Sequence, residues 1–112
     1  ITKIMTGLLA LEKGNLSDII TMSHDAVFSI GRDTSHIALD VGEKLTLEQA
    51  LYALAIPSAN DAANGIAELI GGTMDNFSVM MNDRAKDAGA LNTNFANAHG
   101  LYDKNHYTTV YD

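Results

Sequence analysis

Apolar residues recur three or four positions apart at the start of the chain. This spacing predicts an amphipathic helix over residues 1–13, and Gly14 is typical of a residue that ends a helix. Residues 19–23 and 35–41 instead carry β-branched residues in partial alternation, which predicts short strands or extended segments. The composition of residues 41–44 is typical of a turn.

The second half of the chain predicts three more helices, each marked by residues that start or stop helices. Their boundaries are Thr46 with Gln49 and then Pro57 for the first, Ser58 or Asn60 and then Gly71-Gly72 for the second, and Thr73 and then Gly89 for the third. Residues 90–107 are rich in Asn and lack periodicity, so we expect a long ordered loop. Loops of that length in compact domains are usually functional.

The apolar stripes of these helices predict one hydrophobic core. Its predicted members are Leu8, Leu51, Leu54, Ile66, Phe77 and Met81. Leu, Ile, Val and Phe make up a quarter of the 112 residues, more than is typical of disordered proteins, so we expect the chain to fold.

Charge and composition exclude several classes of partner and chemistry. The net charge is −7 and the basic residues are scattered, which argues against nucleic acid, because a phosphate-binding surface needs clustered Lys and Arg. The longest apolar run has seven residues, whereas a membrane-spanning helix needs about 20. The chain has no cysteine, which excludes disulfides, thiolate ligands and thiol nucleophiles. We expect no cofactor.

The segment Pro57-Ser58-Ala59-Asn60-Asp61 admits two compatible interpretations. In the first it is a helix junction, where Pro57 ends one helix, Ser58 caps the next and Asp61 completes a capping box. In the second, Ser58 and Asn60 point into one cleft. There a hydroxyl can pass a proton to a leaving amine, and an amide can hold a substrate carbonyl.

Lys3 and the histidines are the remaining candidates for chemistry. Lys3 lies among apolar residues, where it either extends to solvent or, if desolvated, has a lowered pKa and acts as a base. The four histidines, His24, His36, His99 and His106, form no His-x-x-x-His pair and have no thiolate partners, so no metal site is predicted. His99 begins a His-Gly-Leu turn in which it can form a local hydrogen bond.

Together these motifs resemble the serine D-alanyl-D-alanine carboxypeptidases, which are the low-molecular-weight penicillin-binding proteins. Three stretches occur in the family's order and spacing: residues 1–12, 42–63 and 97–112. The family works through Ser-x-x-Lys, Ser-x-Asn and Lys-Thr-Gly. Lys3 matches the lysine of the first motif, whose serine would directly precede Ile1. Ser58 and Asn60 match the second motif.

The resemblance implies a mechanism and a role for each of these residues. The serine before Ile1 would attack the carbonyl between the two terminal D-alanines of a peptidoglycan stem peptide, and Lys3 would take its proton. Ser58 would pass a proton to the departing D-alanine. Asn60 would orient the substrate amide and hold Lys3, after which water hydrolyses the acyl-enzyme.

The third matching stretch implies that His99 and Gly100 lie near the site or contact the substrate. The chain departs from the family pattern at Ala59, where glycine is commoner, and at Ala98, where proline is frequent. It contains no Lys-Thr-Gly, the motif that would bind the terminal carboxylate and support the oxyanion hole.

The resemblance also implies a fold and a setting. We expect a mainly α structure with a small β component, the helical lobe of the β-lactamase and penicillin-binding transpeptidase-like α/β fold. Residues 1–112 should be a single partial domain, because the chain begins inside an apolar pattern and Thr109 with Asp112 resembles a capping box without its helix. The missing sheet should leave apolar surface exposed, which would permit self-association.

The implied location is extracytoplasmic, in the cell envelope, with stem peptides ending in D-Ala-D-Ala as substrate and β-lactams as inhibitors. The alternative from another functional class is a helical binding or interaction module without chemistry. In that case Ser58 is only a cap and Lys3 only a surface charge.

We predict that chain 1–112 as given neither releases D-alanine nor forms a covalent β-lactam adduct. The serine that the Ser-x-x-Lys spacing requires and the Lys-Thr-Gly motif are not among its residues. Incubation with a fluorescent penicillin, followed by a denaturing gel and intact mass, measures this. A stoichiometric adduct that Ser58→Ala abolishes would make Ser58 the nucleophile and contradict the assignment.

Overall fold

The structure is a computed structural model that describes residues 2–28, 39–55, 59–90, 92–101, 103 and 105–108. In chain order the elements are α1 (Thr2–Lys13), β1 (Ile19–Thr21), α2 (His24–Phe28), β2 (Lys44–Thr46), α3 (Leu47–Ala55), α4 (Asn60–Gly71) and α5 (Met74–Asp87). The described residues are therefore mainly helical with a small β component, as predicted. Among them, no helix has both the length and the apolar character needed to cross a membrane.

Hydrogen bonds at two helix starts confirm the predicted caps. Thr46 and Gln49 bond reciprocally, each side-chain oxygen accepting from the other residue's backbone N–H, at 3.1 and 2.9 Å. Thr73 Oγ1 accepts from the Asn76 N–H at 3.0 Å. Gly89 follows α5 with a φ of 90°, the left-handed conformation that ends helices. The boundary residues Pro57, Ser58, Thr109 and Asp112 lie outside the described residues.

The two strands pair antiparallel, with Ile19 opposite Thr46. β1 confirms the strand predicted within residues 19–23. The pattern of residues 35–41 predicts a short strand or an extended segment; of these, residues 39–41 form no strand, and residues 35–38 lie outside the described ranges. A turn closed by the Glu43 N–H and the Asp40 carbonyl brings residues 44–46 beside β1 instead.

The periodicity also missed α2, which is too short to show a helical repeat. Its start has a local signal, because Ser23 Oγ accepts from the Ala26 N–H at 3.1 Å and so caps the helix. The same hydroxyl donates to Glu68 Oε1 at 2.6 Å and links the start of α2 to α4.

α4 is the central helix, and it contacts α1, α2, α3, α5 and β1. Its first eight residues, Asn60 to Ala67, are all buried. Small side chains allow its neighbours to approach closely. A Cβ on Gly65 would lie 2.9 Å from Met22 Sδ, so a larger residue there would push Met22 away.

The predicted core is confirmed at most of its positions. Leu54, Ile66, Phe77 and Met81 are buried, and Leu51 packs against the core while partly exposed. The prediction for Leu8 is wrong, because this side chain is 36% exposed. α1 carries apolar residues on two faces, and the face that packs into the core holds Thr6, Leu9 and Ala10.

The other face of α1 borders an apolar groove of about 850 Å³ between α1 and α3. Ile4, Leu8, Leu11 and Tyr52 line it and are exposed. Exposed apolar surface of this kind was expected from the resemblance, and self-association through it stays a prediction.

We predict that Leu54→Ala lowers the free energy of unfolding by about 2–5 kcal/mol, the range for cavity formation in a packed core. Leu8→Ala is the matched control and should cost less than about 1 kcal/mol, because Leu8 already contacts solvent. Urea unfolding followed by circular dichroism measures both. Equal losses for the two variants would show that the assignment of the inner and outer faces is wrong.

Candidate functional site

The first turn of α1 lies against the loop that follows α5. Thr2 Oγ1 and His106 Nε2 are 2.6 Å apart, although the two residues are 104 positions apart in the chain. One turn further along α1, the buried Thr6 hydroxyl donates to the Ala98 carbonyl at 2.7 Å. The loop predicted over residues 90–107 is irregular where described, and it provides one wall for the N-terminal end of α1.

The Asn97–Leu101 turn brings His99 and Gly100 to this wall. Asn97 closes the turn, because its side chain donates to the Leu101 carbonyl at 3.0 Å and accepts from the Gly100 N–H at 2.7 Å. His99 Nδ1 accepts from the Leu101 N–H at 3.2 Å, which is the local hydrogen bond that the sequence predicted.

Gly100 is required at its position for two reasons. Its φ of 86° is one that residues with side chains rarely adopt. A Cβ on Gly100 would also lie 3.3 Å from Thr2 Cβ, so a side chain there would press on the first turn of α1. The glycine thus lets the turn approach Thr2 closely.

Lys3 lies in the first turn of α1, where it is half-buried and lines the apolar groove between α1 and α3. Burial lowers the pKa of its ammonium group below the usual 10.5, because low-polarity surroundings disfavour the charged form. Of the two interpretations of Lys3, the structure favours the partly desolvated amine over a surface charge.

His99 lies close enough to Lys3 for their charges to interact. Burial, together with the positive charges of Lys3 and His106, lowers the pKa of His99 to about 4. The Leu101 N–H pointing at Nδ1 also favours the neutral ring, because a protonated Nδ1 cannot accept it. At neutral pH His99 is therefore an uncharged neighbour of Lys3.

Asn60 stands at the start of α4 with only 3% of its surface exposed. Within the described part of the chain its Oδ1 has no hydrogen-bond partner. A buried acceptor without a donor costs about 1–3 kcal/mol, so such atoms mark places where a ligand or a moving side chain supplies the donor. This orphaned oxygen singles out Asn60 among the buried polar side chains.

Asp61 is buried beside Asn60 and anchors another segment. Its Oδ2 accepts from the Leu39 N–H at 3.1 Å, and its Oδ1 accepts from the Ala62 N–H at 2.9 Å. The predicted capping box of Asp61 with Ser58 cannot be described, because Ser58 lies outside the described residues. Asp61 ties the segment around Leu39 to the start of α4.

The predicted site residues are therefore brought together in part. Lys3, His99 and Gly100 meet at the first turn of α1. No hydrogen bond joins Lys3 to Asn60, so their meeting with Ser58 in one cleft stays a prediction. Sequence reasoning missed the Thr2–His106 contact, because no local pattern connects residues so far apart in the chain. Among the described residues, no three His, Asp or Glu side chains converge as metal ligands would.

The family described as D-alanyl-D-alanine carboxypeptidase matches this chain over residues 1–112. The chain belongs to that family. It is 42% identical over 116 residues to the D-alanyl-D-alanine carboxypeptidase DacF of Bacillus subtilis, a match that covers 99% of this chain and 29% of that protein. It is 32% identical to DacA of Haemophilus influenzae, over 100% of this chain and 30% of that protein.

Solved structures agree with this assignment. Penicillin binding protein 6B from Escherichia coli superposes with a TM-score of 0.88 at 28% identity, over 98% of this chain and 37% of the other. Penicillin binding protein 5 from Haemophilus influenzae gives 0.86 at 33%, over 96% and 33%. The family resemblance and the expected transpeptidase-like fold are confirmed. The chain spans about 30% of the length of these curated relatives.

The pKa of His99 predicts how stability responds to acid. An unfolded histidine titrates near 6.5 and His99 near 4, so only the unfolded state takes up this proton as the pH falls between these values. The contribution of His99 to the free energy of unfolding is fully present above about pH 6.5 and is lost as the pH falls towards 4. We expect a loss of about 1 kcal/mol, after allowing for screening by solvent at a site that is partly exposed.

Urea unfolding at pH 7 and pH 4.5, compared between wild type and His99→Gln, measures this term, since carboxylates contribute equally to both. Thr21→Gln, at an exposed position on β1 whose side chain does not titrate, is the control and should retain the wild-type pH dependence. A His99→Gln protein that loses as much stability as wild type would refute the assignment.

Proposed function

We propose that this chain forms the part of a serine D-Ala-D-Ala carboxypeptidase that supplies the proton-transfer residues, and that the complete enzyme removes the terminal D-alanine from peptidoglycan stem peptides. The observation that carries the proposal is Lys3. It is a partly desolvated lysine with a lowered pKa, in the first turn of the helix that matches the family's Ser-x-x-Lys motif.

In this proposal Lys3, in its neutral form, takes the proton of a serine one helical turn earlier as that serine attacks the carbonyl of the penultimate D-alanine. A lowered lysine pKa raises the fraction of neutral amine at the working pH. Ser58 returns a proton to the nitrogen of the departing D-alanine. Water then hydrolyses the acyl-serine and regenerates the hydroxyl.

Asn60 is proposed to hold the substrate amide and Lys3. Its buried Oδ1 has no donor among the described residues, and either the Lys3 ammonium or a peptide N–H of the substrate would satisfy it. His99 stays neutral beside Lys3 and so adds no second cation next to the base. Gly100 allows the loop to close against Thr2 at the edge of the same site.

The wider setting follows from the family and is part of the proposal. Residues 1–112 form one partial domain, stem peptides ending in D-Ala-D-Ala are the substrate, and β-lactams are inhibitors that acylate the serine. The substrate lies in the cell envelope, so we propose an extracytoplasmic location. The scattered basic residues give no reason to propose nucleic acid as a partner.

The test is a graft in which residues 1–112 replace the matching segment of Bacillus subtilis DacF, with a serine placed directly before Ile1. We expect the grafted protein to bind fluorescent penicillin covalently and to release D-alanine from a peptide ending in D-Ala-D-Ala. Lys3→Ala should reduce the acylation rate by about 10²–10⁴-fold, the usual contribution of a general base.

Lys13→Ala is the matched control, because this lysine ends the same helix far from the site and is exposed. It should leave acylation unchanged. Asn60→Ala should slow acylation as well. A folded graft that stays unlabelled would favour the helical binding module over the enzyme.

A further inference from the structure

We propose that His106 is a positioning residue that holds the first turn of α1, and with it Lys3, in the geometry of the reaction. Its part in catalysis rests on the proposed function. Its effect on Lys3 is a property of this chain and is testable without activity.

Two contacts fix the tautomer of the His106 ring. The backbone N–H of Ala96 donates to Nδ1 at 3.0 Å, so Nδ1 carries no proton. Nε2 therefore carries the proton and donates it to Thr2 Oγ1 at 2.6 Å. Burial lowers the pKa of His106, so the neutral ring that this arrangement requires is the form present at pH 7.

The loop holds the ring in place from both sides. The ring of Phe95, which is buried in the core, meets the His106 ring edge to face with centroids 5.6 Å apart. The next residue, Tyr107, exchanges both backbone hydrogen bonds with Asn94, at 2.9 and 3.0 Å. These contacts fix the His106 ring against the core.

The contact of His106 with Thr2 acts on the turn of α1 that carries Lys3. Lys3 directly follows Thr2, so unwinding at Thr2 would expose Lys3 to water and return its pKa towards 10.5.

The test is an NMR titration of the Lys3 side chain in chain 1–112. His106→Ala and Thr2→Val each remove the hydrogen bond, and we expect each to raise the Lys3 pKa by at least about half a unit. His106→Gln should keep the wild-type value, because one side-chain amide can accept from Ala96 and donate to Thr2 without titrating. A purely structural role would lower the unfolding free energy and leave the Lys3 pKa unmoved.

Thr21→Val, at an exposed position on β1, is the matched control and should leave the Lys3 pKa unchanged. If His106→Ala does not fold, Thr2→Val decides. An unchanged Lys3 pKa in Thr2→Val, or a rise in His106→Gln as large as that in Thr2→Val, overturns the proposal.

In the DacF graft, His106→Ala should slow acylation about tenfold or more, and His106→Gln should restore the rate. A wild-type graft that fails to acylate would refute the proposed function. The Lys3 titration would still decide the role of His106.

Discussion

The burial of the first two turns of α4 is the constraint on which the rest of the structure depends. Eight consecutive residues there are buried, and α1, α2, α3, α5 and β1 all pack on this helix. A helix buried on every side needs small residues where neighbours approach and bonded polar groups elsewhere. Gly65 meets the first requirement, and Asp61 and Asn64 meet the second.

The same burial explains why Asn60 is a candidate site residue. Its neighbours in α4 bond their polar atoms within the fold, whereas its Oδ1 finds no donor in the described residues. The central helix holds this oxygen in one place, so under the proposed function a substrate or Lys3 would meet an acceptor that is already positioned. The core that stabilises the domain therefore also orients a group of the candidate site.

The surroundings of Lys3 depend on a second constraint, which is the contact between α1 and the loop after α5. Thr2, Thr6 and Gly100 join these two parts of the chain. Burial lowers the pKa of both Lys3 and His99, and the positive charge of Lys3 adds to the lowering at His99. The shifts of these two pKa values therefore come mainly from burial.

The sequence by itself determined the helices with strong periodicity and local caps, because these depend on residues three or four positions apart. The reciprocal bonds of Thr46 with Gln49 and the cap at Thr73 are of this kind. The family was recognisable for the same reason, since its motifs are short and ordered along the chain. The short helix α2 and the partner of β1 were missed, because length and strand pairing are not set by local pattern.

Only the tertiary structure decided which apolar face of α1 is buried, and it turned Leu8 outward although its spacing matched the core. It also decided that Lys3 is partly desolvated, that Asn60 Oδ1 has no donor among the described residues and that His106 reaches Thr2. Each of these depends on segments up to 104 residues apart meeting in space. Burial and hydrogen-bond partners depend on which distant segments pack together, so they cannot be predicted from the local spacing of residue types.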